Sequence, residues 1–182
     1  MTDLTPTPGQ TIGPFYGYAL PYAGDAELVP AGHPQAIRLH GTVRDGAGQP
    51  VPDALIEIWQ TDADGVVPQV EGSLHRDGWT FTGWGRAAVD PAGRYSFTTV
   101  RPGATDGSVP FFAVTVFARG LLDRLLTRAY LSDAEGLDGD PLLASVGDRR
   151  DTLVAVADAQ GYRFDLRLQG EGETVFLTHA GA

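Results

Sequence analysis

Few side chains in this sequence could bind a metal ion or act as a nucleophile. There is no cysteine, and the four histidines show no metal-ligand spacing among themselves: His33, His40, His75 and His179. Asp62 and Asp64 resemble part of a calcium-binding loop, but the bidentate glutamate that ends such a loop is missing. The segment is therefore predicted to be a turn that Gly65 completes, and the histidines predict no metal centre.

The charge and composition of the chain argue against several classes of function. A net charge of −10 argues against nucleic-acid and anionic-membrane partners, because phosphate binding depends on clustered Lys and Arg. The first ten residues lack the apolar stretch of a signal peptide, and no run approaches the roughly 20 apolar residues that span a bilayer. We therefore expect a cytoplasmic protein, and 182 residues fit one domain.

Two strands joined by a turn are predicted between Ile37 and Gly65. Residues 37–44 alternate apolar and polar side chains, which is the period of a half-buried strand. Pro50 and Pro52 cannot donate to a ladder, so the pairing must pause there. Residues 54–59 are apolar on both faces except for Glu57, as in a strand buried between two layers. We expect these two strands to form a hairpin.

The rest of the chain predicts more short strands. Residues 84–89 and 94–100 form a second predicted hairpin, residues 110–119 pair with 125–131, and further strands cover 152–157 and 162–168. A short helix is predicted to begin with Asp140 as its cap and Pro141 in its first position, and residues 66–83 read as a long loop. Short strands without alternating helices indicate an all-β fold, a single β sandwich of mostly antiparallel strands with long loops.

The N-terminal part, residues 1–36, is predicted to be an arm and loop that precede the sandwich domain of residues 37–182. Residues 2–14 are rich in Thr, Pro and Gly, which favour an extended segment over a helix. The aromatic residues that follow would be costly to leave in water: Phe15, Tyr16, Tyr18 and Tyr22. We therefore expect the arm to dock on a partner subunit rather than to fray.

Two consecutive motifs resemble those of the intradiol ring-cleavage dioxygenase family. G-x-V-x-D-x-x-G-x-P-V begins at Gly41, and A-x-I-E-I-W-Q begins at Ala54. The first motif also occurs in transthyretin-like sandwiches, so the second carries most of the discrimination. One branch of the family also resembles this chain at T-I-G-P-F from Thr11, F-A-R-G from Phe117 and R-F-D-L-R-L-Q-G-E-G-E-T-V-F from Arg163. The resemblance spans most of the chain.

The resemblance also implies where metal ligands would be. Catalytic members of the family hold a ferric ion with two tyrosines and two histidines, and those positions fall near Val67 and Thr105 and at about Phe111 and Ala113. None of these residues is the family's ligand type, so all four ligands are expected to be missing. The resemblance therefore implies that non-haem Fe(III) is held by a partner subunit and not by this chain.

In the branch that shares these motifs, an iron-bearing β subunit and a homologous iron-free subunit meet at a common pocket. The resemblance implies that this chain lines one wall of that pocket, where protocatechuate and O2 give 3-carboxy-cis,cis-muconate. Matched residue by residue, its substrate-binding residues are Thr11, Gly13, Pro14, Phe15 and Arg119. Gly and Pro let backbone approach a flat ring closely, and arginine offers a planar fork to a carboxylate.

Other interpretations remain at this stage. A strand-end arginine is more often an ion-paired surface group, and Arg124 and Arg128 are alternatives to Arg119 as the pocket residue. The chain could also be a transthyretin-like binding module without enzymatic role. A self-sufficient intradiol enzyme is disfavoured, because such chains carry the full ligand set and an added N-terminal helical segment. No catalytic residue is expected in this chain alone.

Overall fold

The computed structural model describes residue 13 and residues 15–70, 76–105 and 107–178. This part of the chain contains two short α-helices, α1 (Tyr16–Ala19) and α2 (Pro141–Ser145), and 3₁₀ helices at Leu137–Gly139 and Gly147–Leu153. Its nine strands are β1 (Ile37–Arg44), β2 (Leu55–Trp59), β3 (Trp84–Ala88), β4 (Arg94–Thr99), β5 (Phe111–Phe117), β6 (Leu125–Leu131), β7 (Val154–Asp158), β8 (Gly161–Arg163) and β9 (Leu166–Arg167). The all-β prediction is confirmed.

The strands form two layers around one core. One layer has the order β3-β2-β5-β6 and is antiparallel throughout. The other has the order β7-β8-β1-β4, with β9 paired to β1, and it mixes antiparallel with parallel pairs. A short parallel pairing between β6 and β7 joins the layers into a nearly closed arrangement.

The core lies between the inward faces of both layers. Each strand contributes alternate residues, as the period of two requires. The large side chains of this core with no exposed surface are Leu39, Val43, Ile56, Ile58, Phe97, Phe112 and Val116. A smaller cluster forms around α2, and it contains Val109, Tyr130, Leu143, Leu153 and Val175. Asp140 caps α2 as predicted, since its carboxylate accepts hydrogen bonds from the backbone N–H groups of Leu142 and Leu143.

Both predicted hairpins are wrong. β1 pairs with β4 in the register Ile37 to Thr99, whereas β2 pairs with β3 on one side and β5 on the other. The proline-containing connection therefore carries the chain from one layer to the other. The turn at residues 90–93 also joins strands of different layers, because β3 and β4 find their partners in β2 and β1. Crossing between layers lets each strand bury one face in the shared core.

Other predicted elements are close to the observed ones. β5 and β6 pair as predicted. The predicted strand at 152–157 starts instead at Val154, because the 3₁₀ helix occupies the residues before it. The predicted strand at 162–168 is interrupted at Phe164, whose backbone N–H donates to the carbonyl of His40 and whose carbonyl accepts from the Tyr95 hydroxyl. The described parts of the predicted 66–83 loop contain no helix or strand.

Gly41 is required by this interruption. A Cβ at position 41 would overlap the carbonyl oxygen of Phe164 and touch the Tyr95 hydroxyl. The glycine of the first matched motif therefore lets the chain segment between β8 and β9 lie directly against β1. None of the helices in the described residues has the length and apolar character that crossing a membrane requires.

Candidate functional site

The side chains of Arg119 and Asp53, which are far apart in sequence, meet near the C-terminal end of β5. Arg119 follows the strand by two residues, and its Nε lies 3.2 Å from Oδ2 of Asp53, in the connection that precedes β2. α1 packs beside them, with the ring of Tyr16 against that of Phe117 at a centroid separation of 6.3 Å. The fold thereby places α1, which starts directly after Phe15, next to Arg119.

The electrostatics of this cluster leave Arg119 free to bind a ligand. The side chain of Asp53 is only 14% exposed, whereas that of Arg119 is 63% exposed. Burial raises the pKa of Tyr16 to about 12; the Asp53 carboxylate adds to the rise, and Arg119 opposes it. The carboxylate holds Nε, and Arg119 has no second ion-pair partner among the described residues. The two terminal nitrogens therefore remain available to a planar anion.

Two buried polar atoms in the same cluster lack partners. Oδ1 of Asp53 and the hydroxyl of Tyr16 have no hydrogen-bond partner among the described residues. Buried polar atoms are normally paired, so these two atoms can each still accept or donate a hydrogen bond. Sequence reasoning missed Asp53, because no local pattern links it to an arginine in another connection.

A groove of about 350 Å³ opens beside Arg119. Pro50, Pro52, Leu121 and Leu168 supply apolar walls, and the guanidinium lies at its edge. Asp45 and Gln169 also line the groove, so its lining combines apolar side chains with one cation and one carboxylate. The surrounding surface is apolar too, since Phe15 is 79%, Tyr18 84% and Leu122 69% exposed.

The sequence-predicted substrate residues can be placed only in part. Arg119 and Phe15 lie in the region just described, and Gly13 has φ of 73°, a conformation that glycine adopts without strain. Thr11 and Pro14 lie outside the described residues, as do His75 and His179. The alternatives to Arg119 have other contacts, because Arg124 pairs with Asp123 and Arg128 lies over the ring of Phe111.

The four positions that the resemblance assigns to metal ligands surround one cleft. Val67, Thr105 and Phe111 line a cavity of about 190 Å³, and Ala113 pairs across the sheet with Trp59, which lines the same cavity. Gly65 and Gly103 allow close contact between the loop that contains Val67 and the loop that contains Thr105. A Cβ at Gly103 would overlap the backbone nitrogen of Gly65, so the segment before Val67 can reach the segment before Thr105 only without side chains at the contact.

The residues of this cleft do not fit a ferric ion. Valine, phenylalanine and alanine have no donor atom, and the Thr105 hydroxyl is neutral and lies 3.1 Å from that of Ser108. The Arg128 guanidinium carbon lies 3.9 Å from the centroid of the Phe111 ring, but Arg128 lines a separate pocket and not this cleft. Within the described residues, no group of three or more His, Cys, Asp or Glu side chains could hold a metal ion. No chemical step through iron is therefore assigned to this chain.

The remaining candidates of the sequence have structural roles. Asp62 forms the predicted turn, since its Oδ1 accepts from the N–H groups of Asp64 and Val66. His40 lies 3.2 Å from Asp158 on the outer face of its layer. Asp62 and His40 are therefore not placed in a metal or substrate site by these contacts.

The fold of this chain is similar to that of solved dioxygenase domains. The chain matches the dioxygenase domain of a carbohydrate-binding fusion protein from Streptomyces sp. SirexAA-E with a TM-score of 0.60 and 23% identity, over 91% of this chain and 99% of that one. This likeness shows that the chain shares the β-sandwich fold of that domain.

Sequence comparisons then identify the family. The family model described as Dioxygenase matches residues 12–170. The protocatechuate 3,4-dioxygenase alpha chain of Burkholderia cepacia is 39% identical, over 97% of this chain and 99% of that chain. The beta chain from the same species is 32% identical, over 77% of this chain and 67% of its own. The chain belongs to the intradiol dioxygenase family and is a homologue of the alpha chains, so the predicted resemblance is confirmed and the transthyretin-like alternative is not favoured.

Proposed function

We propose that this chain is the iron-free α subunit of a protocatechuate 3,4-dioxygenase and lines one wall of the active site of an iron-bearing β subunit. The observation that carries the proposal is the cleft in which every position expected to hold a metal ligand lacks one, within an otherwise complete family fold. Non-haem Fe(III) is assigned to the partner. The assembled enzyme would convert protocatechuate and O2 to 3-carboxy-cis,cis-muconate.

The contribution of this chain is to bind and orient the substrate. Arg119 pairs with Asp53 through Nε at 3.2 Å, which leaves its two terminal nitrogens for a substrate. A substrate carboxylate would accept hydrogen bonds from this fork, which fixes the direction in which the ring points. Gly13 and Phe15, with Thr11 and Pro14, would form the wall along the ring. No proton transfer is assigned to these residues.

The surface around Arg119 supports a permanent partner. Phe15, Tyr18 and Leu122 expose large apolar side chains around a charged group that a substrate must reach. Isolated domains rarely leave such groups in water together, and obligate interfaces are more apolar than the rest of a protein surface. We assign this surface to the homologous β subunit. A cytoplasmic location stays a prediction from the sequence.

The proposal is tested by purifying the chain alone and together with a β-type chain from the same source. We expect no bound iron and no visible tyrosinate-to-iron absorption in the chain alone. The complex should contain iron in proportion to the β chain and should consume O2 when protocatechuate is added but not in the absence of a substrate. Stoichiometric iron in the chain alone, or a stable complex with iron but without oxygen uptake, would refute the proposal.

A further inference from the structure

The cleft that lacks metal ligands is a shaped cavity that the proposed function leaves without a role. Its apolar walls include Trp59, Val67, Pro110 and Phe111, and its volume is about 190 Å³. An apolar cavity of roughly 150 Å³ is enough to take up benzene. One six-membered ring with one or two small substituents therefore matches the available space.

The walls suit a flat ring. Trp59 ends a core strand, yet 45% of its surface remains exposed, and its ring faces the cleft with that of Phe111. Aromatic side chains contribute large contact areas and favour offset or edge-to-face packing with another ring. Val67 is 58% exposed and lines the cleft from the segment that follows β2.

The polar groups of the cleft indicate an uncharged ligand. No charged residue is among those that line it. A carboxylate placed there would lose water without gaining a charged partner, which is strongly unfavourable. Thr105 and Ser108 bring two hydroxyls within 3.1 Å of each other at the edge of the cavity. Either hydroxyl can donate to, or accept from, a hydroxyl group on the ligand.

We propose that this cleft is a second ligand site on the chain and that it binds small uncharged phenols without a metal ion. The site differs from the Arg119 groove in its lining residues and in the charge of the ligand it selects. Its occupation needs neither the partner subunit nor iron. An experiment can therefore refute phenol binding in this cleft without refuting the proposed role as an iron-free subunit, and the reverse also holds.

The test uses ¹⁹F NMR of 4-fluorophenol with the full-length chain purified without iron. We expect saturable binding of 4-fluorophenol and at least about tenfold weaker binding of 4-fluorobenzoate, because the cleft offers no cation. Val67→Trp should fill the cavity and weaken 4-fluorophenol binding at least about tenfold. The matched control is Val66→Trp, since Val66 is 60% exposed and does not line the cleft.

Thermal unfolding first establishes that both variants are folded. Loss of binding in Val67→Trp with retention in Val66→Trp supports the site. Three results would overturn it: no saturable binding of 4-fluorophenol, equal effects of the two tryptophan variants, or 4-fluorobenzoate binding as tightly as the phenol.

Discussion

Arg119→Ala separates the substrate role of this arginine from any structural role. The Arg119 side chain is 63% exposed, but its loss leaves the mostly buried Asp53 carboxylate without its ion-pair partner, so the free energy of unfolding should fall by about 1–3 kcal/mol. A substrate carboxylate held by the two terminal nitrogens would lose charge-assisted hydrogen bonds, which contribute about 1.5–3 kcal/mol. At about 1.4 kcal/mol for each factor of ten, kcat/KM for protocatechuate should fall roughly 10- to 150-fold.

The assay is oxygen uptake by the assembled enzyme, with iron content and assembly checked for each variant. Arg124→Ala is the matched control, because Arg124 lies in the same connection, is 48% exposed and pairs with Asp123 at 3.6 Å. Catechol lacks the carboxylate, so oxygen uptake with catechol as the substrate should respond equally to both variants. Unchanged kinetics with protocatechuate in Arg119→Ala, or an equal loss with catechol, would refute the reasoning.

Three further predictions follow, two for the cluster of Tyr16, Asp53 and Arg119 and one for the interruption at Phe164. Burial raises the pKa of Tyr16 to about 12, and the Asp53 carboxylate adds to the rise. Asp53→Asn removes this carboxylate, so an ultraviolet titration of tyrosinate should show a lower pKa for one tyrosine. An unchanged titration curve would contradict the effect of Asp53 on Tyr16. Folding raises the pKa of Tyr16 above its ordinary value near 10, so the stability that Tyr16 contributes is present below about pH 10 and is lost as pH rises towards 12. Denaturant unfolding between pH 9 and 12 should show this loss of stability. The loss should be smaller in Asp53→Asn. Gly41→Ala should destabilise the fold by about 3 kcal/mol or more, since its Cβ would meet the backbone of Phe164, whereas Gly32→Ala meets no atom within 4 Å and should unfold like the parent chain.

The sequence predicts the positions of the strands better than it predicts which strands pair with each other. A period of two identifies β1, but it does not say which strand lies beside it, and the proline connection resembles a hairpin turn. Only the β5 and β6 pair, joined by a short connection, could be assigned correctly. The cap of α2 was predictable because Asp140 and its bonded N–H groups lie within one turn.

The site shows the same division between local and non-local information. Arg119 could be proposed from a motif, but its ion pair with Asp53 joins two different connections and leaves no trace in either segment. The convergence of Val67, Thr105 and Phe111 on one cleft depends on loop contacts that spacing does not encode. The matched motifs supplied those positions, and the glycines at the loop contact explain how they meet.

The position of β1 between β4 and the last two strands affects how the chain folds. Arg38 bonds to Ser96, 58 residues away, and the backbone of Thr42 bonds to Asp165, 123 residues away. Such separations give a high contact order, which is associated with slow folding. During synthesis β1 has an unpaired edge until almost the whole chain has emerged, and unpaired edges favour association with other chains. β1 is synthesised early, but its pairing with β8 and β9 forms last. A chain truncated before β8 should therefore aggregate instead of forming a smaller folded domain.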